Sequence, residues 1–287
     1  MPVLCPLCHQ PAKALLSRKN LNLWVCTACS VHFRSAAQQA NHDHFLDLDF
    51  AAYENSVRKT REDSYKTLLK SVSEHTVQGK WLDVGCSFGW LLDAVYQQGY
   101  EAYGVDPSAS ATAALSTKPF KVETGLYPAS DGGAAPYQVI SFIDVLEHME
   151  NPVEILEKTH ALLAPEGVLV IQLPDQASLM YQLSVLLARF HFSSSLDRLY
   201  LEGFDFPHLY YFNAHSLTLL LEKTGFKPVN VERIPLGRIQ DTWARITYAG
   251  KGNPLATVPL VLGTSALIGI GTLTGYTGLL RVLAVKK

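Results

Sequence analysis

Between Trp81 and Leu173, short apolar runs alternate with polar stretches of helical period. Trp81-Leu82-Asp83-Val84 enters a bend of small residues, Gly85-Cys86-Ser87-Phe88-Gly89, and Trp90 to Gln98 continues as a helix closed by Gly99. Ala102 to Val105 is a second apolar run that ends in Asp106. Lys121 to Glu123 forms a short third, and Tyr137 to Ile143 a fourth that ends at Asp144. Asn151-Pro152 reads as the N-cap and first-turn proline of a helix running to about Leu163. Pro165-Glu166-Gly167 then turns the chain into Val168 to Leu173. Strands alternating with helices of roughly ten residues predict an α/β fold, a parallel sheet covered by helices on both faces. Gly85, Asp106 and Asp144 then share the carboxyl ends of the strands, where such sheets bind ligands.

The flanks follow other patterns. Cys5-Pro6-Leu7-Cys8 and Cys26-Thr27-Ala28-Cys29 are two C-x2-C knuckles with 17 residues between them. Four thiolates at that spacing can close a tetrahedron around zinc, and a closed four-sulfur site is structural, with no open position for chemistry. A segment of about forty residues buries too little apolar surface to fold alone, so the metal would supply its folding free energy. Asn41 to Gln78 is polar, with Tyr53, Val57, Tyr65, Leu68, Leu69 and Val72 at helical spacing. A packing helix is the first reading, and such a helix could also lay Tyr53 or Arg58 over a ligand. Ala177 to Phe190 is an apolar helix candidate, and Leu279 to Val285 a final strand paired with Val229 to Glu232.

From Gly252 to Leu280 there is no charged residue. The stretch is long enough for a membrane span, yet Pro254 to Gly278 holds two prolines and five glycines. Three forms stay open: a hairpin dipping into one leaflet, an apolar lid or oligomer contact packed on the protein, and a terminal span flanked by Arg281, Lys286 and Lys287.

Composition narrows the class. The 287 residues are 48% hydrophobic and 17% charged, which excludes disorder and a disulfide-stapled mini-domain. The net charge of −2 argues against a dedicated nucleic-acid binder, although residues 1–41 carry Lys13, Arg18, Lys19 and Arg34 and no acid. No basic-then-apolar run opens the chain, so a reducing cytoplasm is the default location, with the inner face of a membrane as the peripheral variant. The fifth cysteine, Cys86, reads as a small packing residue.

Four segments carry a family resemblance. LDVGCSFGWLL, the acid in GVDPS, YQVISFIDVLEHMENPVEIL and LLAPEGVLVIQLPD resemble, in order, the motifs of class I S-adenosylmethionine-dependent methyltransferases. The subgroup is that of ubiquinone-biosynthesis O-methyltransferases and small-molecule or sugar methyltransferases. HLYYFNAHSLTLLLEKTGF, with Asn213 as N-cap and Gly225 as helix stop, resembles its later segment, so the likeness spans about Lys80 to Val231. The resemblance implies a Rossmann-like seven-stranded sheet, here preceded by a small zinc ribbon. It implies that Asp83, Gly85 and Gly89 line the methionine end of the cofactor, that Asp106 takes the ribose hydroxyls, and that Ile143 and Asp144 flank it. Ser87 stands in the same bend where the family has glycine. A dinucleotide site fails on spacing, because after Gly85 the next glycine is Gly89.

The resulting division is a zinc ribbon at 1–41, a helical linker or lid at 42–78, and a methyltransferase domain at 79–250. That domain carries a substrate cap at about 176–212. An uncharged insertion at 251–278 and a last strand at 279–287 complete the chain. Methyl transfer needs nucleophile and methyl held in line, and a hydroxyl acceptor also needs a base or a metal ion. Glu147, His148 and His208 are the candidate catalytic groups. D-x-x-E-H plus a distant His resembles the acid/His set that binds a divalent ion in ubiquinone O-methyltransferases and small-RNA 3′-end methyltransferases, with Asp144 in place of the usual Glu. That opens a second ion site at Asp144, Glu147, His148 and His208; the bland alternative is that Glu147 and His148 cap or position the Asn151 helix and that His208 is a hydrogen-bonded loop residue.

The leading reading is O-methylation of a small molecule, whether sugar, lipid-linked or quinone-like, with a membrane surface or a second copy as further partners. The alternatives are an RNA methyltransferase, since CPLCHQP resembles the opening of a ribosomal RNA guanine methyltransferase, and a non-catalytic methyltransferase-like scaffold.

Overall fold

The computed structural model describes residues 2–18, 21–34, 50–192, 194–201, 206–247 and 254–287. In chain order the elements are β1 (Ala12–Ser17), β2 (Asn22–Cys26), β3 (His32–Arg34), α1 (Phe50–Ser73), β4 (Lys80–Val84), α2 (Trp90–Gln97) and β5 (Glu101–Asp106). There follow α3 (Ala109–Ala114), β6 (Lys121–Thr124), β7 (Tyr137–Ile143), α4 (Pro152–Leu162), β8 (Leu163–Pro174), α5 (Leu179–Arg189), α6 (Ser194–Leu199) and β9 (Tyr210–Tyr211). The chain closes with α7 (Ala214–Lys223), β10 (Phe226–Ile234), α8 (Thr242–Thr247), α9 (Pro254–Thr274) and β11 (Leu279–Lys286). It divides into two compact units.

One unit, Arg61–Leu173 with Leu217–Glu232 and Arg281–Lys287, contains the expected seven-stranded sheet, in the order β10-β11-β8-β7-β4-β5-β6. The pairs β4–β5, β4–β7, β5–β6 and β7–β8 are parallel. From β4 the chain steps to β5 and β6 on one side and to β7 and β8 on the other, so the strand order reverses at β4, where α/β sheets open a ligand crevice. Trp81, Val139, Val168, Val170 and Leu283 form its core with Leu91, Leu92 and Val95 of α2 and Tyr65, Leu68 and Val72 of α1. The last three carry the spacing read from the sequence. Tyr137 faces Leu163 while Val139 faces Val168, so Pro165-Glu166-Gly167 is looped out within β8 rather than preceding it.

Two end signals act as their chemistry dictates. Asn151 accepts a hydrogen bond from the Glu154 N–H to cap α4, and Gly225 takes the left-handed conformation past α7. Arg281 corrects one expectation. It is fully buried in β11, donating to Gln172, Glu232, the Ser64 carbonyl and Thr67, so it cannot flank a membrane span.

The other unit, Met1–Thr60 with Pro174–Ser216 and Arg233–Leu280, holds a second sheet, β1-β2-β3-β9. The ribbon strands are therefore joined by β9, from far along the chain, with His32 paired to Tyr211 and Phe33 to Tyr210. Leu21 and Leu23 pack with Tyr181, Val185 and Ala188 of α5, Leu196 and Tyr200. The uncharged segment forms a single helix, α9, with Pro259 inside it, and not a hairpin. The side chain of Tyr53 lies outside the described residues, and Arg58 is exposed.

Candidate functional site

The tip of β4 is shaped by backbone conformation. Gly85, Ser87 and Gly89 all have positive φ, at 74°, 44° and 69°. A Cβ on Gly85 would sit 2.5 Å from Val145 Cγ2, so this position has neither the conformation nor the room for a side chain. The Gly85 N–H donates to the Val105 carbonyl at 2.7 Å, which ties the bend to β5. Ser87 adopts a left-handed conformation that L-residues enter at a cost of roughly 1–2 kcal/mol, which gives a physical reason for glycine at this place in the family. Cys86 is buried as expected, and burial pushes its thiol up; its Sγ lies where a Cβ on Gly104 would come within 2.7 Å.

Asp106 ends β5 with both carboxylate oxygens engaged. Oδ2 accepts from the Ser87 N–H and Oδ1 from the Ser108 N–H, each at 2.8 Å. Burial raises its proton affinity while these two N–H groups oppose the shift. The carboxylate is thus fixed in direction at the strand tip, beside the bend.

Asp83, one strand over, is buried, and Ser141 Oγ donates to its Oδ1 at 2.6 Å. Burial lifts it to about 7; the Ser141 hydroxyl opposes that, and the charge of Asp106 adds to it. A folded-state value above the unfolded one means this acid favours folding fully below about pH 4 and loses that contribution as pH rises through about 7. Asp83→Asn is expected to flatten that decline and to raise stability at pH 8 by on the order of 4 kcal/mol, checked by urea unfolding at pH 5 and 8. A parallel decline in the variant contradicts the assignment.

At the tip of β7, Ile143 is half-buried and Asp144 adopts a left-handed φ of 56°, its N–H donating to the Gln172 carbonyl at 2.7 Å. Arg61 of α1 forms an ion pair with the Asp144 carboxylate. Among the described residues, Asp144 Oδ1 has no hydrogen-bond partner. A single turn of 3-10 helix, Leu146–His148, then carries Glu147 inward and His148 to a half-buried position. Glu147 is 1% exposed, and burial raises its proton affinity well above the carboxylate range; the Asp144 charge adds to this, and Arg61 opposes it.

His208 belongs to the other compact unit, where its Nδ1 lies 3.3 Å from the Tyr211 hydroxyl. Of the four-residue ion set read from the sequence, the first acid, Asp144, is paired with a guanidinium. Arg61, missed in the sequence, continues the buried stripe of α1, four residues before Tyr65 and seven before Leu68.

The cysteine site fits zinc. The Sγ atoms of Cys5, Cys8, Cys26 and Cys29 all lie within 4.8 Å of one another. The two knuckles repeat one geometry: Cys5 O accepts from the His9 N–H and Cys26 O from the Ser30 N–H, and His9 and Ser30 both have positive φ. The Ala28 and Cys29 N–H groups donate to Cys26 Sγ at 3.4 Å, as suits a thiolate. Cys29 hydrogen bonding pulls Cys5 down to about 5, while Cys5 in turn pushes Cys29 up. Four thiolates at this separation need a cation between them.

Comparison with known proteins places this geometry. Residues 57–231 match the family model described as a methyltransferase domain. Ubiquinone biosynthesis O-methyltransferase of Caulobacter sp. (strain K31) is 33% identical over 97 residues, 31% of this chain; the match spans 38% of that relative's length. A SAM-dependent methyltransferase from Archaeoglobus fulgidus superposes with a TM-score of 0.53 over 83% of this chain and 100% of its own, at 19% identity. The plantazolicin methyltransferase BpumL in complex with SAH gives 0.52 over 85% of this chain and 92% of its own, at 18% identity. At these identities the two structures establish the fold alone.

Proposed function

We propose that this chain, which belongs to the methyltransferase-domain family and is an S-adenosylmethionine-dependent methyltransferase, O-methylates a small-molecule acceptor. The bound cofactor supplies an electrophilic methyl group on sulfonium. In this reading Asp106, aimed by the Ser87 and Ser108 N–H groups, receives the ribose hydroxyls. The bend of Gly85, Ser87 and Gly89 brings bare backbone up to the methionine end. Asp83 is held near neutrality by burial, so a cationic amino group placed against it would favour its ionised form. Ile143 supplies an apolar flank and Asp144 a polar one.

The observation that carries O-methylation is Glu147, a buried carboxyl with raised proton affinity in the turn after β7. A carboxylate there can take the hydroxyl proton of an alcohol or phenol as its oxygen attacks, and a raised proton affinity makes it a stronger base for that work. His148, in the same turn, is proposed to orient or deprotonate the acceptor beside it. The relative named above, whose match covers about two fifths of its length, acts in ubiquinone biosynthesis by O-methylation, which supports a hydroxyl acceptor.

Incubating the full chain with methyl-labelled cofactor and cell extract, then separating RNA, protein, lipid and small-molecule fractions, tests the class of acceptor. Label is expected in the organic-soluble or small-molecule fraction, stable to base as an ether is. Label confined to RNA contradicts the proposal, and none in any fraction favours the scaffold reading.

A further inference from the structure

One compact unit presents an apolar surface that the methyl-transfer reading does not use. Helix α9 is 21 residues long, and at 1.5 Å per residue that is roughly 31 Å, close to the thickness of a bilayer's hydrocarbon. The stretch Gly252 to Leu280 around it carries no charge. Among the described residues it is the one helix long and apolar enough to cross a membrane, and only 11% of Thr257–Thr274 is buried. A core helix of a soluble fold would be mostly covered. This one exposes Val258, Leu260, Leu262, Ile270 and Leu273, the last at 88%.

The distribution of these residues identifies what covers them. At 3.6 residues per turn, Val258, Leu262, Ile270 and Leu273 fall within about 120° of one another and Leu260 lies nearly opposite Leu262, so the exposed apolar side chains form one broad face with no charged residue along its rim. The exposed hydroxyls behave as they would in hydrocarbon. Thr272 Oγ1 donates to the Ile268 carbonyl and Thr274 Oγ1 to the Ile270 carbonyl, both at 2.8 Å, so their protons are spent within the helix. Helix α5, which touches α9, adds Leu183, Leu186, Leu187 and Phe190 to the exposed surface. Trp243 and Tyr276, both half-exposed, come shortly before and after α9 in the chain and are the residue types that settle at headgroup depth.

We propose that α9, together with the exposed face of α5, inserts into the hydrocarbon of a lipid bilayer and holds the protein on a membrane. The absence of charge complements lipid tails rather than anionic headgroups, so binding is hydrophobic and independent of the acceptor's identity.

Flotation of the full chain with phosphatidylcholine vesicles tests this. The protein is expected to float with the vesicles and to stay with them in salt of about 0.5 M, where surface charge attraction is screened. Leu262→Lys with Leu273→Lys is expected to lower the bound fraction by about tenfold or more, because a lysine is costly at hydrocarbon depth. Both sites are exposed, so far-ultraviolet circular dichroism and affinity for the cofactor are expected to stay unchanged. Vesicles with brominated tails are expected to quench tryptophan emission of the parent chain and much less that of Trp243→Phe. Failure to float overturns the proposal. So does binding that requires anionic lipid and is lost in salt, or a lipid-indifferent dimer that the lysine pair dissociates.

Discussion

Replacing Cys5 and Cys29 together by serine is expected to unfold the sheet of β1, β2, β3 and β9 while leaving the seven-stranded sheet folded. Apparent binding free energies of structural zinc in small ribbons reach about 10–16 kcal/mol at neutral pH, far beyond what so short a segment gains by burial. The geometry allows no half measure. Four sulfurs lie within 4.8 Å, and without a cation one thiolate forms at the expense of its neighbours. Unfolding also removes Leu21 and Leu23 from the cluster with Tyr181, Tyr200 and Tyr211, so α5 and α6 lose packing partners. Metal analysis of the purified chain is expected to give one zinc per chain, and hydrogen exchange is expected to show lost protection in β1–β3 with protection kept in β4–β8. A double variant with parental exchange in β1–β3 contradicts the structural role.

The second large effect concerns Glu147. Glu147→Gln keeps size and polarity and removes the base, and loss of a positioned base costs about 10²–10⁴ in rate. Affinity for the cofactor is expected to stay unchanged, since Glu147 is proposed to act on the acceptor rather than to join the strand-tip bend. The base must be ionised to act, and burial with the Asp144 charge raises its proton affinity. The parent rate is therefore expected to climb as pH rises above the ordinary carboxylate range, whereas the variant's residual rate lacks that limb. A variant that keeps the parental rate and pH profile removes Glu147 from the chemistry and moves the role to His148 or His208.

What the sequence made legible was whatever chemistry lies within a few residues. A strand running into Gly85-Cys86-Ser87-Phe88-Gly89, an acid ending the next strand, and the Asn151 cap are local statements, because backbone conformation and capping are local physics. The cysteine knuckles belong with them, since two short turns suffice to aim four sulfurs. Arg281 was not legible. Its partners include Ser64, 217 residues away, and a guanidinium after two leucines reads as a strand end or a membrane flank until the sheet closes over it. Arg61 was hidden for the same reason, as helical spacing puts it in line with Tyr65 and Leu68 but does not say which acid waits there.

The position of β9 beside β3 was equally invisible, because two tyrosines carry too little pattern to announce a strand. In α9 the apolar content was plain, while the continuation of one helix through Pro259 was not.

The proposed site rests on Asp106 and the glycine bend holding a nucleoside-bearing sulfonium. Isothermal titration of S-adenosylmethionine into the full chain, with Asp106→Ala measured alongside, tests that most directly. The account predicts one site per chain in the parent and binding weakened by about a hundredfold in the variant, as fits the loss of charge-assisted hydrogen bonds to two hydroxyls. No heat with the parent, or equal affinity in both, would contradict it.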